Sequence, residues 1–147
     1  MIKDILVHIP TERPPRPVID ASVSLAMAFG AHLDAVAIGY IPTSTAYAID
    51  GSAALAIAAA FEMERQRAAQ RSAAALAIFE TEAQSAGISH ESRSIEDLPA
   101  EAASAIGAAA RLYDLAVVLQ PEAAQETFDN RTSTEILVQA GGPVPQN

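Results

Sequence analysis

Cysteine is absent from this chain of 147 residues, and so is tryptophan. Without thiols there are no disulfides and no thiolate metal sites, which fits a reducing cytoplasm. Basic residues are scarce: nine Lys and Arg against eighteen Asp and Glu leave a net charge of −9. Phosphate-rich surfaces are bound by clustered cations, so nucleic acids and anionic membranes are not expected partners. No apolar run is as long as a membrane span, and the opening Met1-Ile2-Lys3-Asp4 does not read as a signal peptide. Glycine is thin as well, with seven in all and none between Glu122 and Asn130. What the chain does have is alanine, which favours helices and lets them lie close against a sheet. Its length suits one domain, 1–147, with a single three-layer core.

Taken in order, Ile5 to Ile9 reads as a first buried strand, apolar except for His8. Pro10 to Pro17 holds four prolines and cannot be regular, although Pro17 suits the first turn of a helix. That helix puts Val18, Ala21, Leu25 and Phe29 on one face and stops at Gly30. A second strand lies within His32 to Ile41. After a loop over Thr43 to Ser52, a long helical pattern runs to Ala86 and stops at Gly87. Its middle, Glu62 to Arg67, is polar all round, so this part is expected to overhang the domain or kink. Ile88 to Ile95 is polar and half-alternating, as in an edge strand. Asp97 and Pro99 open a third helix with Ala103, Ile106 and Ala110 inward.

The stretch from Asp114 to Val144 closes the pattern. Five apolar residues, Leu115 to Leu119, suit a strand buried on both faces. Thr132 with Glu135 three residues later forms a capping box, which predicts a helix starting there and ending at Gly141-Gly142. Pro143-Val144 begins one more strand that the sequence does not continue. Alternating strands and helices with right-handed crossovers make a parallel α/β sheet. The fourth strand must return beside the first, which puts the switch point between Pro10 and Gln120.

On these residues the chain resembles a universal stress protein domain. The matching passages are KDILVHI, AFGAHLDAVAIGY, the long helix ending SAGI, RLYDLAVVLQP, and STEILVQAGGPV. It is especially similar to the N-terminal halves of bacterial proteins that carry two such domains in tandem. The resemblance implies a parallel sheet in order 3-2-1-4-5 with helices on both faces, its fifth strand here truncated or missing. Many members bind ATP through G-x-x-G, about nine residues, then G-S or G-T, at a helix N-terminus. Here Leu119-Gln120 stand where the first glycine would fall, and Ile9-Pro10 replace an aspartate that often ends the first strand. Only Thr132-Ser133-Thr134 keeps part of the signature. Glu122, Glu126 and Asp129 in the intervening loop would repel a triphosphate.

Other candidates carry little chemistry. His8, His32 and His90 lack metal-ligand spacing; His8 reads as a hydrogen-bonded core or switch-point residue, His32 as an aid to a helix C-terminus, and His90 as an exposed edge residue. Glu62/Glu64 and Glu80/Glu82 diverge on a helix and form no acid/base pair. Ser22 and Ser24 lack a G-x-S-x-G context. Tyr40, Ile41, Tyr47 and Ile49 offer a lid over the crevice, or simple loop packing.

The expected function is therefore a regulatory or interaction module of the stress response, not an enzyme and without a cofactor. The alternative is weak binding of ATP or AMP between the first and fourth strands, touching Ile9, Pro10, Thr11, Ala37, Gln120, Thr132, Ser133 and Thr134. The expected partner is a second copy of the chain or a second universal-stress domain. It would join at the edge of the fourth strand, with Val117 and Ile136 supplying apolar area. The loop from Glu122 to Asn130 is expected to be among the most mobile segments.

Overall fold

The computed structural model describes residues 1–41, 54–120 and 127–140. Four parallel strands form one sheet: β1 (Asp4–Ile9), β2 (His32–Tyr40), β3 (His90–Asp97) and β4 (Leu115–Val117), in the order β3-β2-β1-β4. Among the described residues, four helices connect and cover them: α1 (Arg16–Phe29), α2 (Ala54–Ala86), α3 (Pro99–Ala110) and α4 (Phe128–Ala140). The order is the one the crossovers demand. The anticipated fifth strand at Pro143-Val144, like Tyr47, Ile49, Glu122, Glu126 and Gly141-Gly142, lies outside the described residues.

Strand alternation divides the core between two faces of the sheet. Ile5, Val7 and Ile9, with Leu33, Ala35, Ala37, Leu115 and Val117, pack against Val18, Ile19 and Val23 of α1 and Leu76, Phe79 and Ala83 of α2. Leu6, Val36, Ile38, Tyr40, Ala116 and Val118 face Ala102, Ile106 and Ala110 of α3 and Ile136 of α4. Because β1 is paired on both sides and covered on both faces, its side chains from Ile5 to Ile9 are all buried. That is why its sequence is a run and not an alternation.

Both α1 and α2 end in a left-handed glycine, Gly30 at φ 62° and Gly87 at φ 70°. In each, the next N–H reaches back five residues, Ala31 to the Ala26 carbonyl and Ile88 to the Ala83 carbonyl. This closes the helix end in a Schellman pattern. Ile88 is thus spent on the cap, and β3 starts at His90, two residues later than its apolar pattern suggests. His90 is half-buried, not exposed, with its ring edge-on to Phe79 at 5.9 Å.

None of residues 55–67 of α2 is buried, whereas Ala68, Ser72, Ala75, Leu76, Phe79 and Ala83 are. The overhang expected from the polar middle is therefore present. Contact with the sheet begins where Ala68 meets Gly39. A Cβ on Gly39 would lie 2.2 Å from the Ala68 carbonyl oxygen, so only glycine lets helix and strand approach this closely. Arg71 then donates to the Tyr40 carbonyl at 2.7 Å. Among the described residues, no helix is long and apolar enough to cross a membrane.

The last helix begins at Phe128, four residues before the capping box would start it. Thr132 consequently sits inside α4, its hydroxyl 3.1 Å from the Phe128 carbonyl, and is not an N-cap. Asp129 belongs to the first turn of this helix and is 1% exposed. It is no part of a mobile polar loop. Val117 and Ile136 are also buried, at 2% and 0% exposure, and so have no outward area to give a partner.

Candidate functional site

The C-terminal ends of β1 and β4 and the N-terminus of α4 meet at the switch point, where open α/β sheets place their ligands. The residue at the centre of this site is Asp129. Its Oδ2 accepts the backbone N–H of Thr11 at 3.0 Å and of Glu12 at 2.9 Å. Its Oδ1 accepts the Tyr40 hydroxyl at 2.9 Å. In return, the Asp129 N–H donates to Glu12 Oε1 at 2.7 Å. The first orphan donors of α4 are thus met by a side chain from the β1–α1 segment, and the helix needs no local capping box.

Two successive N–H groups after a strand make a ready anion cradle. Here the anion is the chain's own carboxylate. A carboxylate buried this deeply is tolerated only when it is hydrogen-bonded, and three donors reach it, two on Oδ2 and one on Oδ1. Tyr40 Oη also lies 2.7 Å from Thr132 Oγ1. Tyr40 gives its proton to Asp129 and Thr132 gives its own to the Phe128 carbonyl, so the two hydroxyl oxygens sit side by side in one polar cluster. The Phe128 ring packs on Tyr40 with centroids 5.3 Å apart. Burial and the adjacent Asp129 carboxylate push the Tyr40 phenol well above its usual range.

Beneath this cluster lies His8, 1% exposed, with Nε2 3.5 Å from Asp129 Oδ1. That distance is too long for a hydrogen bond, and among the described residues neither ring nitrogen has one. The expectation of a hydrogen-bonded His8 is therefore corrected: geometry offers it only a Coulombic neighbour. Burial lowers its pKa, and the attraction of Asp129 opposes this only in part. Glu12 is shifted the other way. Removal of water from its carboxylate raises its pKa, against the stabilising N–H of Asp129.

The residues singled out for the crevice divide into groups. Pro10, Thr11, Thr132 and Ser133 come together around Asp129 and the end of β4. Thr11 Oγ1 donates to the Ile38 carbonyl at 2.9 Å, and Ser133 Oγ to the Leu119 carbonyl at 2.9 Å. Gln120 is exposed and its carbonyl accepts Arg13 Nη1 at 2.9 Å. Ile9 and Ala37 point into the core on the α1/α2 side, and Thr134 is on the outer surface of α4. Tyr40 and Ile41 are buried and are not a lid.

From sequence, Asp129 reads as a loop charge and Tyr40 as a lid or loop-packing residue, and Glu12 carries no signal at all. For Asp129 a signal is present. Asp129, Thr132, Ser133 and Ile136 follow the i, i+3, i+4, i+7 spacing of one helix face. Three of these four are polar, so hydrophobic periodicity passes over them.

No family model and no curated relative matches the sequence. Solved structures do. The hypothetical protein MJ0577 superposes with a TM-score of 0.69 over 99% of this chain and 95% of its own, at 11% identity. The universal stress protein of Archaeoglobus fulgidus gives 0.64, covering 99% of this chain and 93% of that one, also at 11% identity. A universal stress protein in complex with cAMP gives 0.53 over 99% and 96%, at 16% identity. With these superpositions covering 99% of the chain, and with four parallel strands in order β3-β2-β1-β4, the fold is that of the universal stress proteins.

Proposed function

We propose that this chain is a universal-stress-like regulatory or interaction module, a single cytoplasmic domain that neither catalyses a reaction nor uses ATP at its switch point. The observation that carries this reading is the Asp129 carboxylate on the Thr11 and Glu12 N–H groups. The donors that would cradle a phosphate already hold an internal anion, and a phosphate brought beside it meets like charge. Three side chains that could greet a nucleotide, Thr11, Thr132 and Ser133, have their hydroxyls engaged within the protein. The module acts through a partner of the same fold, a second copy or the other half of a tandem protein.

The second reading is a weak adenine-nucleotide protein. A similar structure is that of a complex with cAMP, and the crevice lies at the position where such folds bind ligands. Thermal unfolding with ATP, ADP, AMP and cAMP separates the two. A ligand at one hundred times its Kd adds about 2.7 kcal/mol of stability. No rise in Tm with any of the four is the expected result. Low-micromolar binding of Mg-ATP in a calorimetric titration overturns it.

A further inference from the structure

At the opposite end of the sheet, the N-terminal ends of β2 and β3 carry a donor set that the switch point does not use. His32, Asp34 and Glu91 each present a ligand atom, and these atoms lie within 4.8 Å of one another. We propose that they bind a divalent transition-metal ion of the zinc type, through His32 Nε2 and one oxygen each from Asp34 and Glu91.

The backbone makes the grouping. His32 and Asp34 are two apart on β2 and so share a face, and Asp34 stands in register with Glu91 on β3. This is the face covered by α3, beyond whose end Tyr113 closes the site. Two of the three donors are oriented from behind. Ser89 Oγ lies 2.7 Å from His32 Nδ1, and Tyr113 Oη donates to Asp34 Oδ2 at 2.6 Å. That leaves Nε2 and Oδ1 facing each other at 2.7 Å. Hydrogen bonds on the far atom of each ligand are the usual companions of metal-binding histidines and carboxylates. The His32 ring is therefore engaged here, and not at the α1 terminus as its position after Gly30 suggests.

Ligands about 2.1 Å from a tetrahedral ion sit roughly 3.4 Å apart. Nε2 and Oδ1 must therefore separate slightly, and Glu91 must swing inward, which its exposed side chain allows. The proton ledger balances without a co-reactant. In the neutral imidazole that faces a carboxylate, Nε2–H donates to Asp34 and the Ser89 hydroxyl donates to Nδ1. After binding, the imidazole proton resides on Nδ1 and Ser89 accepts it, since a hydroxyl does either. Imidazole with two carboxylates gives a neutral site around a 2+ ion, a donor set suited to zinc, nickel or iron more than to calcium. A cavity of about 100 Å³ adjoins it, lined by Asp34, Glu91, Ser92, Arg93 and Tyr113. It leaves room for a fourth ligand, and the Arg93 guanidinium at its wall selects an anionic one.

Calorimetric titration of the full chain with Zn²⁺, and the visible absorption of its Co²⁺ complex, test the site. One saturable ion per chain is expected, with low-symmetry Co²⁺ bands. Glu91→Gln, on the exposed edge strand where folding is not at risk, weakens binding at least tenfold, as does His32→Gln. Tyr113→Phe, which removes only the positioning bond, weakens it by about 10–100-fold. Binding that persists in Glu91→Gln and His32→Gln means Zn²⁺ sits elsewhere on this acidic chain and overturns the proposal. So does the absence of saturable binding in the wild type.

Discussion

Glu12 and Asp129 are bonded to each other twice, in opposite senses. The Glu12 N–H donates to the Asp129 carboxylate at 2.9 Å, and the Asp129 N–H donates to the Glu12 carboxylate at 2.7 Å. This reciprocal clasp joins the segment after β1 to the start of α4 across 117 positions. It fixes the helix start, occupies the anion cradle and leaves His8 facing a carboxylate it does not reach.

Replacing Asp129 by Ala strands two part-buried backbone donors and takes the carboxylate acceptor away from the buried Tyr40 hydroxyl. The expected loss is about 3 kcal/mol, from the cost of unsatisfied buried groups. Urea denaturation measures it. A loss below 1 kcal/mol, on the order of an ordinary surface change, shows that the clasp is not a structural element.

His8 makes stability depend on pH in a defined direction. Burial lowers its folded-state pKa below the ordinary 6.5, so the unfolded chain binds more protons between the two values. Stability is then full above about pH 6.5 and falls as pH drops toward the folded pKa. Glu12, with its pKa raised above 4.5, acts oppositely: its contribution is present below that value and lost as pH rises through the folded pKa. Urea melts at pH 7.5 and 5.5 should show a decline in the wild type that is smaller in His8→Leu. Parallel declines in the two proteins refute the assignment.

Gly39→Ala forces the α2 backbone away from β2, because the new methyl overlaps the Ala68 carbonyl. The expected cost is about 1–3 kcal/mol, typical of overpacking against backbone that cannot rotate aside. Chemical denaturation checks it, and an unchanged midpoint means the contact relaxes freely.

Self-association needs an outward surface, and Val117 and Ile136 do not supply one. Val138 of α4, 74% exposed, does. Light scattering across protein concentration is expected to give a dimer for the wild type and a monomer for Val138→Glu, with stability within about 0.5 kcal/mol. A wild type that is monomeric at every concentration removes this partner.

The sheet was legible because β1, β2 and β4 are buried on two faces and so write themselves as apolar runs. The caps at Gly30 and Gly87 were legible because few residues but glycine adopt their backbone angles. The candidate site was not. Asp129, Thr132 and Ser133 face inward yet read as surface residues, and apart from the Thr132 bond to Phe128 the partners named above lie 14 to 118 positions away. A satisfied buried carboxylate leaves no local pattern. Thr132 and Glu135 show the converse: their spacing fits a capping box, but Glu12 already serves the helix start, so tertiary structure overrides the local signal.

The register of β1 has a consequence for the order of events during synthesis. Its outer neighbour is β4, and the Asp114 carboxylate accepts the N–H groups of Lys3 and Asp4 across 111 and 110 positions. A ribosome releases β1 long before either arrives. For that interval β1, whose side chains from Ile5 to Ile9 end up buried, has β2 along one edge and nothing of its own sheet along the other. Contacts of such separation slow folding, and an open hydrophobic edge invites the wrong strand. The emerging chain is therefore most in need of chaperone protection between the appearance of β2 and that of β4.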